Sequence, residues 1–357
     1  MISETLALVV LSAAANLNLQ ALLDQVRTEQ DVPGVSAVVT HQGDVVFSGA
    51  SGTSDLESGD AMTADTVLYA GSLTKILTAT LALRLIDEGN LSLDEVVTGI
   101  ATGPATAATN ITVAHLLTHA SGLEREGNFG YWFSADFPDD AALALYLTNT
   151  ELRSVPGTTV HYSNVGFAAL GAVLANASEL SYHDALQTRV FEPLGMTASG
   201  SPGPVTGIAP GYTPTGRVIP NEARPFAGVG REIGGRHLRE YHNAKAMTPA
   251  FGAFTTANDL SRIARFLLGY GASGFLPDAL RLRMLQPETS RRTLGLGAGR
   301  YEGHSIARHG GWFAAHKSHI LIDLDAEIGV VVLANSDNAD PDAIAKALLS
   351  EVLNSAP

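Results

Sequence analysis

Apolar residues recur with a helical period at both ends of the chain and with a strand period just inside them. Leu19, Leu22, Leu23 and Val26 fall at i, i+3, i+4 and i+7, which predicts an amphipathic helix over 18–29, stopped by Pro33-Gly34. Val35–Thr40 and Val45–Ser48 flank His41-Gln42-Gly43-Asp44, the pattern of a hairpin. Thr66–Tyr69 reads as a short strand. From Ile76 to Ile86 the sequence is apolar on most sides, broken by Thr78, Thr80 and Arg84, and it stops at Gly89-Asn90. That is a buried helix.

The middle of the chain is helical in pattern. Helices are predicted from Ala114–Leu117, Asp140–Thr148, Asn164–Ala175, Ser181–Val190 and Asp259–Leu268. Between Thr197 and Arg236 the chain is rich in Gly and Pro without a period, as in a long functional loop. Strand-like runs return at Ser305–Arg308, Lys317–Asp323 and Gly329–Leu333, and Ala345, Leu348, Leu349 and Val352 mark a closing helix. The order predicts an α/β (α+β) fold of two lobes. An antiparallel sheet flanked by helices is built from 18–75 and 250–357, and an all-helical lobe over 76–249 is inserted between them. Residues 1–17 form a separate N-terminal segment. A cleft between lobes is a common place for a site.

Composition narrows the chemistry. At 357 residues the chain can bury a large core, and its net charge of −14 argues against nucleic acid or an anionic membrane as partner. There is no cysteine, which removes disulfides, thiolate metal sites and a cysteine nucleophile. This fits an exported, periplasmic protein better than a cytoplasmic one. The apolar run Leu6–Ala15 resembles a signal remnant, but Glu4 without a Lys or Arg is the wrong charge for one, and a docking N-terminus is the other reading. No run reaches the roughly 18 apolar residues of a membrane span.

The chain has four lysines, and only Lys75 has a serine, Ser72, three residues before it. On a helix, i and i+3 share a face, so hydroxyl and amine lie together at the first turn of the buried helix. A serine needs a base to attack, and burial is what frees a lysine lone pair. The other reading makes Ser72 an N-cap and Lys75 a solvated charge, although a lysine in a first turn has the wrong sign for the helix dipole. In Pro156-Gly157-Thr158-Thr159-Val160-His161-Tyr162-Ser163-Asn164, Tyr162 and Asn164 follow a turn. A phenol beside an ammonium can have a lowered pKa and relay protons, and an Asn amide can hold lysine and substrate together. A core tyrosine and an Asn N-cap are the alternative. A second such pair, in Tyr241-His242-Asn243, lacks the turn and the apolar helix.

Arg308-His309-Gly310-Gly311-Trp312 closes the strand at Ser305–Arg308. Glycines there let a backbone or ligand approach an edge strand closely, with His309 as a polar or cationic group nearby; a bulge with a surface histidine is the competing reading. His115 and His119 are spaced like metal ligands, but no glutamate lies between them and no third ligand is evident, so structural roles are expected. Gly303-His304-Ser305-Ile306-Ala307 imitates a nucleophile elbow without its strand-and-helix context.

In order, these segments resemble the serine β-lactamase and penicillin-binding-protein superfamily, in the branch that holds class C β-lactamases, D-alanyl-D-alanine carboxypeptidases, D-aminopeptidases and family VIII carboxylesterases. The resemblance spans roughly Asp31 to Leu353. It includes His115-Leu116-Leu117-Thr118-His119-Ala120-Ser121-Gly122-Leu123, Glu192-Pro193-Leu194-Gly195-Met196 and Asp323 through Asn335. It implies Ser72 as acyl-accepting nucleophile, Lys75 as its base, Tyr162 as proton shuttle and Asn164 as the residue orienting substrate and lysine. His309-Gly310-Gly311 takes the place of Lys-Thr-Gly at the substrate, and the Ser72 and Trp312 amides form the oxyanion hole. No metal or cofactor is implied. β-Lactamases of the branch mostly carry lysine at the third motif, so His309 and the missing threonine hydroxyl favour a carboxylesterase acting on small ester or amide substrates. A D-stereospecific peptidase or DD-carboxypeptidase with weak β-lactamase activity is the alternative. An acyltransferase would need a second pocket, for which Tyr131, Trp132, Phe133 and the 197–236 loop are candidates. A binding protein that has lost turnover is the non-enzymatic alternative.

Overall fold

The computed structural model describes residues 18–97, 110–134, 136–201, 207–215, 232–239, 243–289 and 292–355. The segment 1–17, Tyr241 and His242 lie outside them. Helix α1 covers 18–29, and the hairpin follows as β1 (Gly34–His41) and β2 (Asp44–Gly52). Gln42 and Gly43 turn it with φ of 50° and 84°, the left-handed pair that suits the twist of adjoining strands. The strand expected at 66–69 is only β3 (Leu68–Tyr69), and the buried helix is α2 (Thr74–Asp87).

The central helices are α3 (Val113–Leu117), α4 (Tyr131–Ser134), α5 (Asp140–Asn149), α6 (Asn164–Ser178), α7 (Tyr182–Leu186) and α8 (Glu192–Leu194). A π turn over Gln187–Phe191 splits the single helix expected at 181–190. Part of the expected 197–236 loop is outside the described residues. The rest contributes β4 (Gly211–Pro214) and β5 (Glu232–Ile233), which join β6 (Arg236–Arg239) in a sheet of order β4-β6-β5. These strands are too short to show a period of two. Next come α9 (Thr248–Phe251), β7 (Phe254–Thr255), α10 (Ala257–Leu267) and α11 (Asp278–Arg283). The chain ends in β8 (Gly297–Tyr301), β9 (His304–Phe313), β10 (His316–Asp323), β11 (Ile328–Ala334) and α12 (Pro341–Ser355).

The main sheet has the order β2-β1-β11-β10-β9-β8, with antiparallel neighbours throughout. Its centre joins the two ends of the chain, Val35 opposite Ala334 and His41 opposite Ile328. β1 and β11 are buried along nearly their whole length. Their runs are therefore continuously apolar, because helices cover both faces. On one face Leu19 and Leu23 of α1 and Leu348 and Leu349 of α12 pack with Val35, Val39, Val330 and Val332. On the other, Val38, Ile320, Ile322, Val331 and Leu333 meet α2 and α10 in the larger core, which continues into the central helices. Among the described residues no helix is long and apolar enough to cross a membrane.

Candidate active site

Ser72 does not lie in the first turn of α2. It sits in a 3-10 turn, Gly71–Leu73, in front of it. Leu73 is the N-cap position of α2 and no side chain caps either turn, so Ser72 is not spent as a cap. Lys75 is fully buried, because α2 is covered on nearly every side. Its Nζ donates to Asn164 Oδ1 at 2.7 Å and to the Ala250 carbonyl at 2.7 Å, and stands 3.5 Å from Ser72 Oγ. Burial holds the amine well below the usual lysine range. Glu126 pulls it back up, while Arg125 and Arg292 push it further down.

Ser163 caps α6 by accepting from the Gly166 amide at 2.8 Å, so Asn164 is not the cap. The cap turns the chain so that Tyr162, just before it, and Asn164, just after it, both reach the α2 turn. His119 supports the loop from below: its Nδ1 accepts from the Ser163 amide at 3.1 Å and its ring lies 4.4 Å from that of Tyr162. The Tyr162 phenol shares a hydrogen bond with Ser72, and the Lys75 Nζ lies 4.8 Å from its ring centre. The lowered pKa expected for this phenol is not found. Burial pushes it up to about 12, outweighing the hydrogen bond to Ser72 and the pull of Arg292 and Arg125.

The strand expected to end at Arg308 runs on through both glycines to Phe313, in unbroken register with β10: Gly310 opposite His319, Gly311 opposite Ser318, Trp312 opposite Lys317. There is no bulge. β8 stops pairing at Gly297 opposite Arg308, and beyond that point the Gly71–Leu73 turn lies along β9. A Cβ on Gly71, whose φ is +54°, would stand 2.4 Å from the Trp312 nitrogen. The amides of Ser72 and Trp312 therefore belong to the same small region. The Trp312 indole donates to Asp337. His309 is buried beside Tyr162, ring centres 6.2 Å apart. It is not the cationic group that the sequence allowed: burial first, then Lys75 and Arg292, bring its pKa down to about 3. Its Nδ1 faces the Gly310 carbonyl at 2.7 Å and so carries the hydrogen.

A cleft of about 720 Å³ opens over this arrangement, lined by Ser72, Tyr162, Asn164, His309, Gly310, Gly311 and Trp312. Every residue expected at the site borders it except Lys75, which lies beneath. Three others escaped the sequence reading. Glu126 accepts from Asn164 Nδ2 with both oxygens at 2.9 Å. Arg125 and Arg292 line the cleft with guanidinium carbons 5.6 and 5.5 Å from the Tyr162 ring centre. Arg125 pairs with Glu126 at 3.1 Å, whereas among the described residues no carboxylate pairs with the half-buried Arg292. These residues sit in stretches without period or motif; only the clustering of charges in Glu124-Arg125-Glu126 marks two of them.

The remaining candidates fall elsewhere. His115 accepts from the Thr112 amide at 3.2 Å and completes a capping box on α3. His304 starts β9 at the end remote from the glycines. Tyr131 does not wall a second pocket. It is buried against Phe137, Phe251 and Trp132, with its hydroxyl donating to Glu126. Trp132 does line the cleft, and the Phe133 side chain lies outside the described residues.

The chain is similar to several known proteins. Penicillin-binding protein 4 of Amycolatopsis lactamdurans is 35% identical over 188 residues, covering 50% of this chain and 48% of its own length. Esterase EstB of Burkholderia gladioli is 31% identical over 215 residues, 53% of this chain and 52% of its own. The chain thus spans about half the length of these curated relatives. In fold it is similar to the D-amino acid amidase from Ochrobactrum anthropi SV3, with a TM-score of 0.81 at 22% identity over 96% of this chain and 99% of that one. A family model described as Beta-lactamase matches residues 19–353, from the first helix to the last and through every segment that meets at the cleft, and the chain belongs to that family.

Proposed function

We propose that the protein is a serine hydrolase that works through an acyl-enzyme on Ser72. One observation carries this reading: the buried Lys75 amine gives hydrogens to two carbonyl oxygens at 2.7 Å and keeps its third direction for Ser72 Oγ at 3.5 Å. A neutral amine has two N–H groups and one lone pair. With both N–H groups engaged, the lone pair is left for the serine proton. Lys75 takes that proton as Oγ attacks the substrate carbonyl. The negative oxygen is received by the Ser72 and Trp312 amides, donors worth roughly 3–4 kcal/mol each in comparable sites. Tyr162, still a phenol at neutral pH, gives its proton to the leaving oxygen or nitrogen and regains one from Lys75. Water then enters by the same relay run backwards, and the acid is released.

For substrate, the uncharged His309 and the absence of a hydroxyl at Gly310 support a carboxylesterase acting on small acyl esters. One observation favours a second reading, a D-stereospecific peptidase: the Arg292 guanidinium in the cleft could meet a carboxylate on the leaving portion. p-Nitrophenyl acetate and butyrate, nitrocefin and a peptide ending in D-Ala-D-Ala, each run beside Ser72→Ala, separate the readings. Turnover of esters alone supports the esterase, and release of D-alanine supports the peptidase. Turnover undiminished in Ser72→Ala ends both.

A further inference from the structure

Glu126 touches none of the reacting atoms, yet it ends a chain of contacts that begins at Ser72. Asn164 is held between two partners of opposite kind. Its Nδ2 donates to Glu126 Oε1 and Oε2, both at 2.9 Å, and its Oδ1 accepts from Lys75 at 2.7 Å. An asparagine amide is nearly symmetric in shape, so packing alone does not say which end faces the lysine. An ionised carboxylate accepts and cannot donate, which forces the NH2 end toward Glu126 and the oxygen toward Lys75. Glu126 is itself held, by the Tyr131 hydroxyl on Oε2 and by Arg125 Nε at 3.1 Å on Oε1.

We propose that Glu126 is a positioning residue: its carboxylate fixes the Asn164 amide so that Lys75 keeps its lone pair on Ser72. The proposal rests on the hydrolase reading above. Turned over, the amide would point its NH2 at Nζ, and the Lys75 lone pair would accept from Asn164 instead of from Ser72. The other groups around Lys75 are Tyr162, His119, Arg125, Arg292 and His309. Of these and Glu126, only Glu126 brings a carboxylate.

The test is Glu126→Gln, read in two ways. A glutamine can donate as well as accept, so it permits the reversed amide. Turnover of p-nitrophenyl butyrate should fall roughly tenfold or more in kcat with little change in KM. The acid limb of kcat/KM should move to lower pH, since a lost anion weakens proton binding at Lys75. NMR of isotope-labelled lysine side chains reads the same midpoint without any turnover, and four lysines make the spectrum tractable. A Lys75 midpoint equal in wild type and variant, or kcat within about twofold, overturns the proposal. If wild type hydrolyses nothing, the hydrolase reading fails while the NMR titration still decides the charge coupling. Should the glutamine variant fail to fold, Glu126→Asp carries the test. The charge is kept, so the lysine midpoint should stay near that of wild type while the shorter arm lowers kcat by roughly threefold or more. Wild-type kcat in the aspartate variant would overturn the proposal.

Discussion

The α-carbon of Gly311 abuts the Ser72 amide so closely that a methyl group added there would stand 3.1 Å from that nitrogen. The same methyl would meet the Ala70 carbonyl at 2.3 Å and Ser318 Oγ at 2.2 Å. Ser318 and Ala70 are already joined by a hydrogen bond of 2.7 Å, so neither yields cheaply. Gly311→Ala should push the Gly71–Leu73 turn off β9 and cost about 100-fold in ester turnover, the scale of one lost oxyanion donor. The accompanying loss of stability should be about 1–3 kcal/mol, from overpacking. Gly299→Ala, whose new methyl would meet Ile306 at 3.7 Å, is the control and should leave kcat unchanged.

Lys75→Met removes the proposed base and keeps the volume. Turnover of p-nitrophenyl acetate should fall by roughly 10³-fold, within the range of general-base effects. Stability should respond differently with pH. The folded state holds Lys75 well below its unfolded value of 10.5, so the unfolded chain binds the extra proton and wild type loses stability as pH falls from the unfolded value toward the folded one. The methionine variant lacks that slope. Melting curves between about pH 10 and about pH 6 should show it gaining on wild type as pH drops.

His316 is a neutral imidazole with both nitrogens engaged, Nδ1 accepting from the Tyr69 amide at 3.4 Å and Nε2 facing the Ala209 carbonyl at 3.0 Å. A second proton would set N–H against N–H. Burial, partly offset by the backbone carbonyls, brings its pKa down to about 4 from 6.5. The unfolded chain therefore takes up a proton that the folded one refuses, and stability should drop by roughly 3 kcal/mol as pH falls across that interval. His316→Asn, which keeps an acceptor for Tyr69, should make the acid limb of the thermal midpoint shallower.

Arg292→Gln tests the peptidase reading. If its guanidinium meets a leaving-group carboxylate, KM for a D-Ala-D-Ala peptide should rise roughly tenfold or more, since a hydrogen bond to a charged group contributes about 1.5–3 kcal/mol. Nitrocefin and p-nitrophenyl butyrate, run in parallel, show whether the loss is confined to the peptide. An equal loss on all three substrates would place Arg292 with Tyr162 in proton transfer instead.

What could be read from the sequence was what repeats or what chemistry singles out. The periods of 18–29 and 76–86 and the strand runs near 317 and 329 each lie within a helix or strand of the fold. Ser72, Lys75, Tyr162, Asn164 and His309 were legible as residue types in suggestive places; four of them line one cleft, and Lys75 lies beneath it against Ser72 and Asn164. The electrostatics were not legible, because they depend on burial. Tyr162 was expected to lose its proton more easily and holds it more tightly, and His309 was allowed a charge that its surroundings refuse. Nor was the course of β9 through two glycines. A glycine pair reads as a break, and only the approach of Ala70 and Ser72 explains why a strand would spend it there. Arg292 left no pattern, since its ring partner lies across the cleft, and the charges at 124–126 do not show that Glu126 meets a residue 38 positions away.

The pairing of β1 with β11 has a consequence for how the molecule is made. On the ribosome, the turn bearing Ser72 is finished while the strand that must lie beside it is still untranslated, and the sheet cannot close until Ile328–Ala334 has emerged to meet Gly34–His41. Such distant pairing is slow to form and leaves apolar strands uncovered in the meantime. A chain stalled anywhere before β9 would carry Ser72 and Lys75 with no strand to complete the cleft, so the arrangement around Ser72 waits for His304–Phe313 to be synthesised.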